Sequence, residues 1–526
     1  MLYIGQLFES GERPQTAPRF PWAVDHWTRL GRFLILGSES GTYYIGDREQ
    51  SLENAAAVRE CLQEDGLRVV RTIAEASTSG RAPKNDPALF ALALAASPQF
   101  ASPETNAAAL DALAEVARTG TDLCTFAAFV TSLRGWGRGL RSAIAQWYLK
   151  KPLSELADQL IKFKPRGTWS HRDLLRLSHP KAETPASNAL FQWAVEGGLG
   201  HWASPEVLTA ELRQIQAFEL AKKAASESEV VHLIEDYRLT HEMIPSEWKN
   251  SARVWEALLD SMPYAALVGN LARLTAVGLL APQSPATALA VARLIDRKRV
   301  AQSRVHPIAL LAALLAYRQG RGDSGSLEWT PVASVIDALD RAFHLAFDNL
   351  EPTGKRICLA LDAGASMQHS VCAGMPNVPV ATASAALAMV FARTELHCTI
   401  AAFHDQIWHA GITRQHRLDR ACEAIVCEPR GTDASLPMRD ALERGLAVDA
   451  FVIVTGNPAW SRDRDPVQAL ERYRRQTGIA AKLVVIAMAA NQCSIADPND
   501  AFQMDVAGFD ASVPQVVSNF IRSRLP

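Results

Sequence analysis

A single acidic residue, Asp362, ends an apolar run in the stretch "LALDAGASMQHS" (359–370). The carboxyl end of a buried strand is the place where open α/β sheets bind ligands. An aspartyl nucleophile for phosphoryl transfer would want a second aspartate two residues later, where Gly364 stands. A two-metal nuclease would want several converging carboxylates, but a later strand end offers Gly456. Both enzymatic interpretations of Asp362 are therefore weak.

Motifs for other kinds of catalysis are missing from the sequence. It contains no GxSxG, no P-loop and no HExxH, and no cysteine lies near His171 or His179 to complete a metal site. Hydrolysis of RNA would need paired histidines with a lysine, or clustered carboxylates. We therefore expect that the protein is not an enzyme.

The strongest charge feature lies between Arg134 and Lys181. This segment contains eleven lysines and arginines and three acidic residues, so its net charge is +8, although the whole chain carries −2. A patch of this kind suits the phosphate backbone of a nucleic acid. The alternative is an ordinary basic helix face that contacts only water.

Within this segment, the sequence predicts a helix that begins at Ser170. Ser170 and Asp173 make a capping arrangement for the helix start, and Arg172 and Arg176, four residues apart, share one face. Trp136 is interpreted as a core residue rather than a base-stacking platform. The candidate phosphate-binding residues of the segment are Arg138, Arg141, Lys162, Lys164, Arg166, Arg172 and Arg176.

The two halves of the chain differ in the period of their apolar residues. From about residue 54 to 350 the spacing is helical, and Pro, Gly and Ser clusters separate the segments, which indicates an irregular HEAT-like or armadillo-like solenoid. The exception is "RFLILGSESGTYYIG" (32–46), which we interpret as a short hairpin. After "NLEPTGKR", strand-length apolar runs alternate with helical patterns, which indicates a doubly wound parallel sheet. The predicted domains are residues 1–350 and 351–526.

The cysteines and the N-terminus indicate a compartment. The eight cysteines include no CxxC pair, so we expect reduced thiols rather than disulfides or a zinc site. The N-terminal "MLYIGQLFESGERPQ" lacks a cationic region followed by an apolar one, and no stretch of about 18 uncharged apolar residues occurs. We expect a cytoplasmic protein that does not associate with membranes.

The C-terminal segment resembles a von Willebrand factor A domain. The adhesion-type metal site of that family uses an Asp-x-Ser-x-Ser loop, a threonine from a second loop and an aspartate from a third. Here "DAGAS" keeps Asp362 and Ser366 but has Gly364, "RGTDASLPM" supplies Thr432, and "VTGNP" has Gly456. The resemblance implies one divalent cation, Mg²⁺ or Ca²⁺, on Asp362, Ser366 and Thr432, held weakly by a single carboxylate. The alternative is that Asp362 only caps local backbone amides.

The helical half resembles the TROVE module of the Ro autoantigen family and its bacterial relatives. The stretches that carry the resemblance are "RFLILGSESGTYYIG", "RGWGRGLRSAIAQWY" (134–148), "WSHRDLLRLSHPK" (169–181), "MPYAALVGNLARLT" (262–275) and, in the C-terminal half, "RGTDASLPM". The resemblance implies a multidomain fold, with an all-α ring of HEAT-like repeats sealed by the α/β A domain. It also implies small noncoding Y RNAs on the outer basic surface and single-stranded 3′ ends of misfolded or precursor RNAs in the hole. Members of this kind assist exoribonucleases in RNA quality control, ribosomal RNA maturation and stress.

Carried over by position, the family's RNA-contacting residues fall on Lys162, Arg166 and His179. His171, in the same motif, is a further candidate for RNA contact. A second interpretation is a protein-interaction module without RNA, in which the A domain binds an acidic partner through a shared metal and the solenoid forms a peptide groove. The two differ in salt dependence, because RNA affinity falls steeply with salt.

Overall fold

The computed structural model describes residues 24–46, 50–162, 169–198, 208–322, 325–364, 366–425, 431–456, 465–493 and 495–522 of the 526-residue chain. Up to residue 350 the described part is almost entirely helical. Its helices are α1 (His26–Leu36), α2 (Ala56–Thr78), α3 (Asp86–Ala95), α4 (Pro103–Asp111), α5 (Leu113–Val116), α6 (Gly120–Leu133), α7 (Arg138–Leu149), α8 (Leu153–Lys162), α9 (His171–Ser178), α10 (Pro185–Glu196), α11 (Ala210–Ala221), α12 (Glu227–Tyr237), α13 (Ala252–Leu259), α14 (Tyr264–Ala276), α15 (Pro285–Leu294), α16 (Arg297–Ser303), α17 (Pro307–Arg318) and α18 (Ala333–Leu345).

Helices that follow one another in the chain mostly pack side by side, as a solenoid requires. Helix α1 packs on α2, α2 on α3, α12 on α13 and α17 on α18. Their starts carry side-chain caps, as at Thr119 of α6, whose hydroxyl accepts from the amide of Asp122 over 3.1 Å. Helix α3 is buried on all sides because α1, α2 and α6 surround it, which explains its continuous apolar sequence.

The rest of the described chain, together with one short strand near the N-terminus, forms an α/β domain. The strands are β1 (Thr42–Tyr44), β2 (Arg356–Asp362), β3 (Val371–Cys372), β4 (Met375–Pro379), β5 (His397–Phe403), β6 (Ile407–His409), β7 (Ala450–Thr455), β8 (Lys482–Ala487) and β9 (Gln503–Ala507). The helices are α19 (Ser366–His369), α20 (Val380–Thr394), α21 (Leu418–Glu423), α22 (Leu436–Glu443), α23 (Pro466–Thr477) and α24 (Val513–Arg522).

The main sheet is doubly wound, which confirms the predicted fold class. Its strand order is β1-β9-β8-β7-β2-β5-β6. Of the neighbouring strands described in this sheet, only β5 and β6 are antiparallel. Strands β7 and β8 are buried along their whole length because helices cover both faces of the sheet, α20 and α24 on one and α22 and α23 on the other. The carboxyl ends of β2 and β7 therefore meet at one edge.

The hairpin predicted for residues 32–46 is wrong. Residues up to Leu36 belong to α1, which ends at Gly37 with a left-handed φ of 76°. Strand β1 then adds in parallel to β9, so that Thr42 lies opposite Asp505 at the edge of the C-terminal sheet. The sequence of the segment has β-propensity but cannot reveal a partner strand that lies far away in the chain.

Arg32 joins α1 to the loop that precedes β9 in the C-terminal domain. Its buried guanidinium donates to the carbonyl oxygens of Pro498 and Asp500, each over 2.6 Å. Gly41 permits this approach, because a Cβ at that position would lie 3.0 Å from Arg32 Cζ. The start of the helical region is thus joined to the C-terminal domain by a strand and by a buried charged group.

The other end of the helical region also contacts the C-terminal domain. Helix α17 packs on β4 and α20, and the Arg393 guanidinium of α20 lies 4.4 Å from the ring centroid of Phe347, which follows α18. Arg417 lies 3.7 Å from Asp340 of α18. Contacts at both ends close the chain on itself, as the resemblance implied.

The described helices are short or carry charged residues, which bears on membrane-spanning character. No single one of them combines the length and the apolarity of a span, and one pair, α16 with α17, passes when joined, although its axes differ by 111°.

Candidate nucleic-acid interface

Helix α9 lies at the centre of the predicted RNA-binding segment. The amide of Asp173 donates to Ser170 Oγ over 3.3 Å, and the amide of Ser170 donates to Asp173 Oδ2 over 3.1 Å. This reciprocal pair is a capping box and confirms the predicted helix start. The carboxylate of Asp173 is consequently held at the first turn of the helix.

Arg172 and Arg176 share one face of α9, as their spacing predicted, and this face is the solvent side. Both residues are exposed, whereas Leu174, Leu175 and Ser178 on the other side are buried. Neither arginine has an ion-pair partner among the residues that the structure describes. The helix therefore presents two uncompensated positive charges on one face.

His179 forms the end of α9. Its backbone has a φ of 46° and a ψ of 57°, and its amide donates to the carbonyl oxygen of Leu175 over 2.9 Å. This left-handed conformation is uncommon for residues other than glycine. The histidine residue is exposed, so it lies at the surface beside the arginines of α9.

His171 does not lie at that surface, which corrects the prediction that it contacts RNA. Its side chain is buried under α7, and Nδ1 is 2.8 Å from the hydroxyl of Tyr148. Burial lowers the pKa of His171 to about 4, so that the ring is neutral at physiological pH. This histidine holds α9 against α7 instead of binding a phosphate.

Helix α7 adds two cations to the surface. Arg138 and Arg141 are exposed in its first turn, whereas Leu140 and Ile144 face the core. In the described part of the chain neither arginine forms an ion pair. Helix α7 packs on α9, so the two helices that carry these exposed arginines are neighbours. We call Arg138, Arg141, Arg172 and Arg176 together the arginine surface.

Lys162 lies at the end of α8. It is exposed and its Nζ is 3.8 Å from Asp158 Oδ2, one helical turn away. Lys162 also lies near the short helical turn His241–Met243. The pKa of His241 is lowered, first by burial and then by the positive charges of Lys249 and Lys162. Lys164 and Arg166, the other predicted cations of this stretch, lie outside the described residues.

Some cations of the basic segment make contacts within the protein that stabilise the fold. Arg134 Nη1 donates to the carbonyl oxygen of Ala96 at the end of α3. Lys151 Nζ lies 2.6 Å from Glu155 and 4.7 Å from the ring centroid of Trp147. The net charge of the segment therefore overstates the number of cations that are free to meet a ligand.

Asp362 lies at the edge of the sheet where β2 ends, buried beneath the loops. Its Oδ1 accepts from the amide of Gly364 over 2.7 Å and from Thr432 Oγ1 over 3.2 Å, and its Oδ2 accepts from Thr455 Oγ1 over 2.7 Å. Burial raises the pKa of Asp362, and these three donors oppose that effect. The first and second loops of the predicted cation site thus meet, and Thr455 joins them from the end of β7.

The third loop supplies no carboxylate at its start, because Gly456 follows β7. The nearby carboxylate of Asp433 is turned away to its own helix start, where its Oδ1 accepts from the amide and hydroxyl of Ser435. Among the described residues, no group of three His, Cys, Asp or Glu side chains could hold a metal ion. A cation at this place would meet the single charge of Asp362 and the hydroxyl of Thr432, and a site with one protein charge binds weakly. The side chain of Ser366, the third predicted ligand, lies outside the described part of the structure.

Comparison with known proteins accounts for both halves of the chain. Residues 14–316 match the family model of the TROVE domain, and residues 356–521 match that of the Ro60 vWA domain. The chain belongs to the Ro60 family. It is 38% identical to "RNA-binding protein RO60" of Deinococcus radiodurans over 96% of this chain and 94% of that protein. It is 33% identical to the protein of the same name from Caenorhabditis elegans, over 98% of this chain and 91% of that protein.

The architecture agrees with a solved member of the Ro60 family. The crystal structure of the Deinococcus radiodurans RO (RSR) protein superimposes with a TM-score of 0.89 at 38% identity, covering 95% of this chain and 100% of that one. The arginine surface lies inside the part that matches the TROVE domain, and Asp362 and Thr432 lie inside the part that matches the vWA domain. The predicted fold class and the family resemblance are therefore confirmed.

Trp169 lies at the surface and was not among the predicted site residues. It is half-buried, immediately precedes the N-cap of α9 and lies against Trp136. The usable signal was an aromatic residue at the entrance of a helix that carries free arginines. Trp136 itself packs on the core, in line with its interpretation, but it is not fully buried.

Proposed function

We propose that this chain is an RNA-binding scaffold of the Ro ribonucleoprotein type. The observation that carries the proposal is the arginine surface: four exposed arginines on two adjoining helices, none with an ion-pair partner among the described residues. Fixed, uncompensated cations on a helical scaffold attract a polyanion, and release of its counterions drives the binding. The two relatives compared here are themselves named RNA-binding proteins, which supports this choice of polyanion.

The proposal includes the finer roles that the family resemblance implied. Small noncoding Y RNA binds the outer basic surface, and the single-stranded 3′ ends of misfolded or precursor RNAs enter the ring. An exoribonuclease partner, not this chain, cuts the RNA during quality control, ribosomal RNA maturation and stress. The seven described cysteines are free thiols, which suits the reducing cytoplasm.

A titration of tailed RNA tests this function. A hairpin RNA with a single-stranded 3′ tail and the same hairpin without the tail are titrated with the protein across a salt series, and the RNA is then checked for cleavage. We expect tighter binding of the tailed hairpin, a steep loss of affinity with salt, and intact RNA.

The contrary outcomes are equally clear. Binding that hardly depends on salt, or no binding at all, would contradict the scaffold and favour the peptide groove of the protein-interaction alternative. Cleavage of the RNA by the purified protein, lost on the substitution Asp362→Ala, would show an enzyme.

We propose further that Asp362, Ser366 and Thr432 hold a divalent cation weakly. When bound, the ion would supply a positive charge that can receive a carboxylate of a partner. We expect millimolar Mg²⁺ to stabilise the protein by no more than about 1 kcal/mol, because a ligand near its Kd adds little. Thermal unfolding with Mg²⁺ and with EDTA measures this, and Asp362→Ala should remove the difference.

The matched control for the cation site is Asp433→Ala, since Asp433 lies on the second loop but is turned to Ser435. This variant should keep the response to Mg²⁺. An identical response in wild type and Asp362→Ala would place the ion elsewhere.

A further inference from the structure

Two tryptophans meet beside the arginine surface. Trp136 lies in the connection from α6 to α7, and Trp169 lies two residues before α9 begins. Their ring centroids are 5.0 Å apart and the ring planes are inclined by 53°. The packing of α7 on α9 thus brings together two indoles from separate parts of the chain.

These indoles differ from the core tryptophans of the same region. Trp147 of α7 is fully buried. Trp136 and Trp169 pack on the core with part of their surface and leave the remainder accessible to solvent. A half-buried aromatic ring is held in a fixed position by its packed side and retains apolar surface for another flat group.

Free cations flank the tryptophan pair on both chain segments. Arg138 follows Trp136 by two residues and Arg172 follows Trp169 by three, and both arginines are exposed without an ion-pair partner in the described part of the chain. A ligand that matches this surface combines flat apolar groups with negative charges. A nucleic acid strand with unstacked bases has this combination, and known single-strand-binding proteins use aromatic rings beside cations.

We propose that Trp136 and Trp169 form a stacking site for an unpaired base of single-stranded RNA, with Arg138 and Arg172 on its flanking phosphates. The inference rests on the proposed RNA-binding function and deepens it, because the arginines recognise the backbone and the tryptophans recognise the bases. Every base has a flat face, so the site tolerates any sequence. It rejects a duplex, whose bases are already stacked on one another.

The test compares three probes: a single-stranded oligoribonucleotide, a strand of equal length with abasic riboses, and a blunt duplex. Trp136→Ala and Trp169→Ala should each lower the affinity for the base-carrying strand about tenfold, which is the effect of one lost base stack. Binding of the abasic strand and the duplex should stay at the wild-type level. The slope of log affinity against log salt should also stay unchanged, since no phosphate contact is lost.

Trp27→Ala is the matched control. Trp27 is also half-buried, but the guanidinium of Arg68 already lies 3.9 Å from its ring centroid and its Nε1 donates to Glu64 over 3.1 Å. The Trp27→Ala variant should bind all three probes with wild-type affinity. Trp136→Phe and Trp169→Phe preserve the packing and serve as the test if an alanine variant unfolds. Each should lower the affinity about two- to threefold, for the base-carrying strand alone.

Two results with the tryptophan variants would overturn the stacking site. One is that the Trp136 and Trp169 variants bind the base-carrying strand with wild-type affinity. The other is that their affinity falls equally for the base-carrying and the abasic strand. If the wild type binds the two strands equally well, the stacking site fails while RNA binding stands. If the wild type binds no strand, the proposed function fails as well.

Discussion

Removal of the arginine surface, by replacing Arg138, Arg141, Arg172 and Arg176 together with alanine, should lower the affinity for single-stranded RNA by about 10²–10³-fold near 0.1 M salt. Each phosphate contact contributes about 0.7 to the slope of log affinity against log salt for a single strand. At this salt concentration each lost contact therefore costs about fivefold in affinity. The slope itself should fall by about 3, which fluorescence anisotropy across a salt series measures.

A charge-matched pair of variants separates a defined surface from general attraction. Arg172→Ala with Arg176→Ala removes two charges from α9, and Arg472→Ala with Arg475→Ala removes two exposed charges from α23. Both pairs change the net charge equally. The α9 pair should weaken RNA binding and the α23 pair should leave it nearly unchanged, whereas an equal effect of both would mean that the RNA follows net charge and not this surface.

Arg32→Ala should lower the free energy of unfolding by about 3 kcal/mol. Burial lowers the pKa of Arg32 to about 10, so the guanidinium stays charged at neutral pH. Its loss leaves two carbonyl oxygens without their charged donor, that of the buried Asp500 and that of the exposed Pro498. Hydrogen bonds from a charged group contribute more than neutral ones, and an unmatched buried acceptor is costly. Urea unfolding measures the difference, and β1 should become sensitive to protease.

Arg29→Ala is the control on the same helix. Arg29 also pairs with acids, with Glu60 at the protein surface and, over 3.7 Å, with the partly buried Glu39. Exposed ion pairs contribute at most about 1 kcal/mol, so this variant should stay close to the wild type. Similar losses for the two variants would show that α1 is not joined to the C-terminal domain through Arg32.

The sequence was sufficient for features whose cause is local. The apolar runs that became β2, β5, β7 and β8 were predicted because a strand buried on both faces must be apolar throughout. The capping box of α9 was predicted because its two partners lie three residues apart. The common face of Arg172 and Arg176 followed from the same predicted helix.

Features that depend on distant parts of the chain could not be predicted. Strand β1 pairs with β9, and no property of Thr42–Tyr44 indicates that partner. His171 belongs to the core because Tyr148 of another helix covers it, while the motif around it suggested a surface role. In each case the deciding contact is tertiary.

Photo-crosslinking of a single-stranded RNA that contains 4-thiouridine, followed by mass spectrometry of the attached peptides, tests most directly where RNA binds. The account predicts crosslinks in the peptides of α7 and α9 and at Trp136 or Trp169. Replacement of the arginine surface should remove them. Crosslinks confined to the C-terminal domain or to α16, at the same protein and RNA concentrations, would contradict the account.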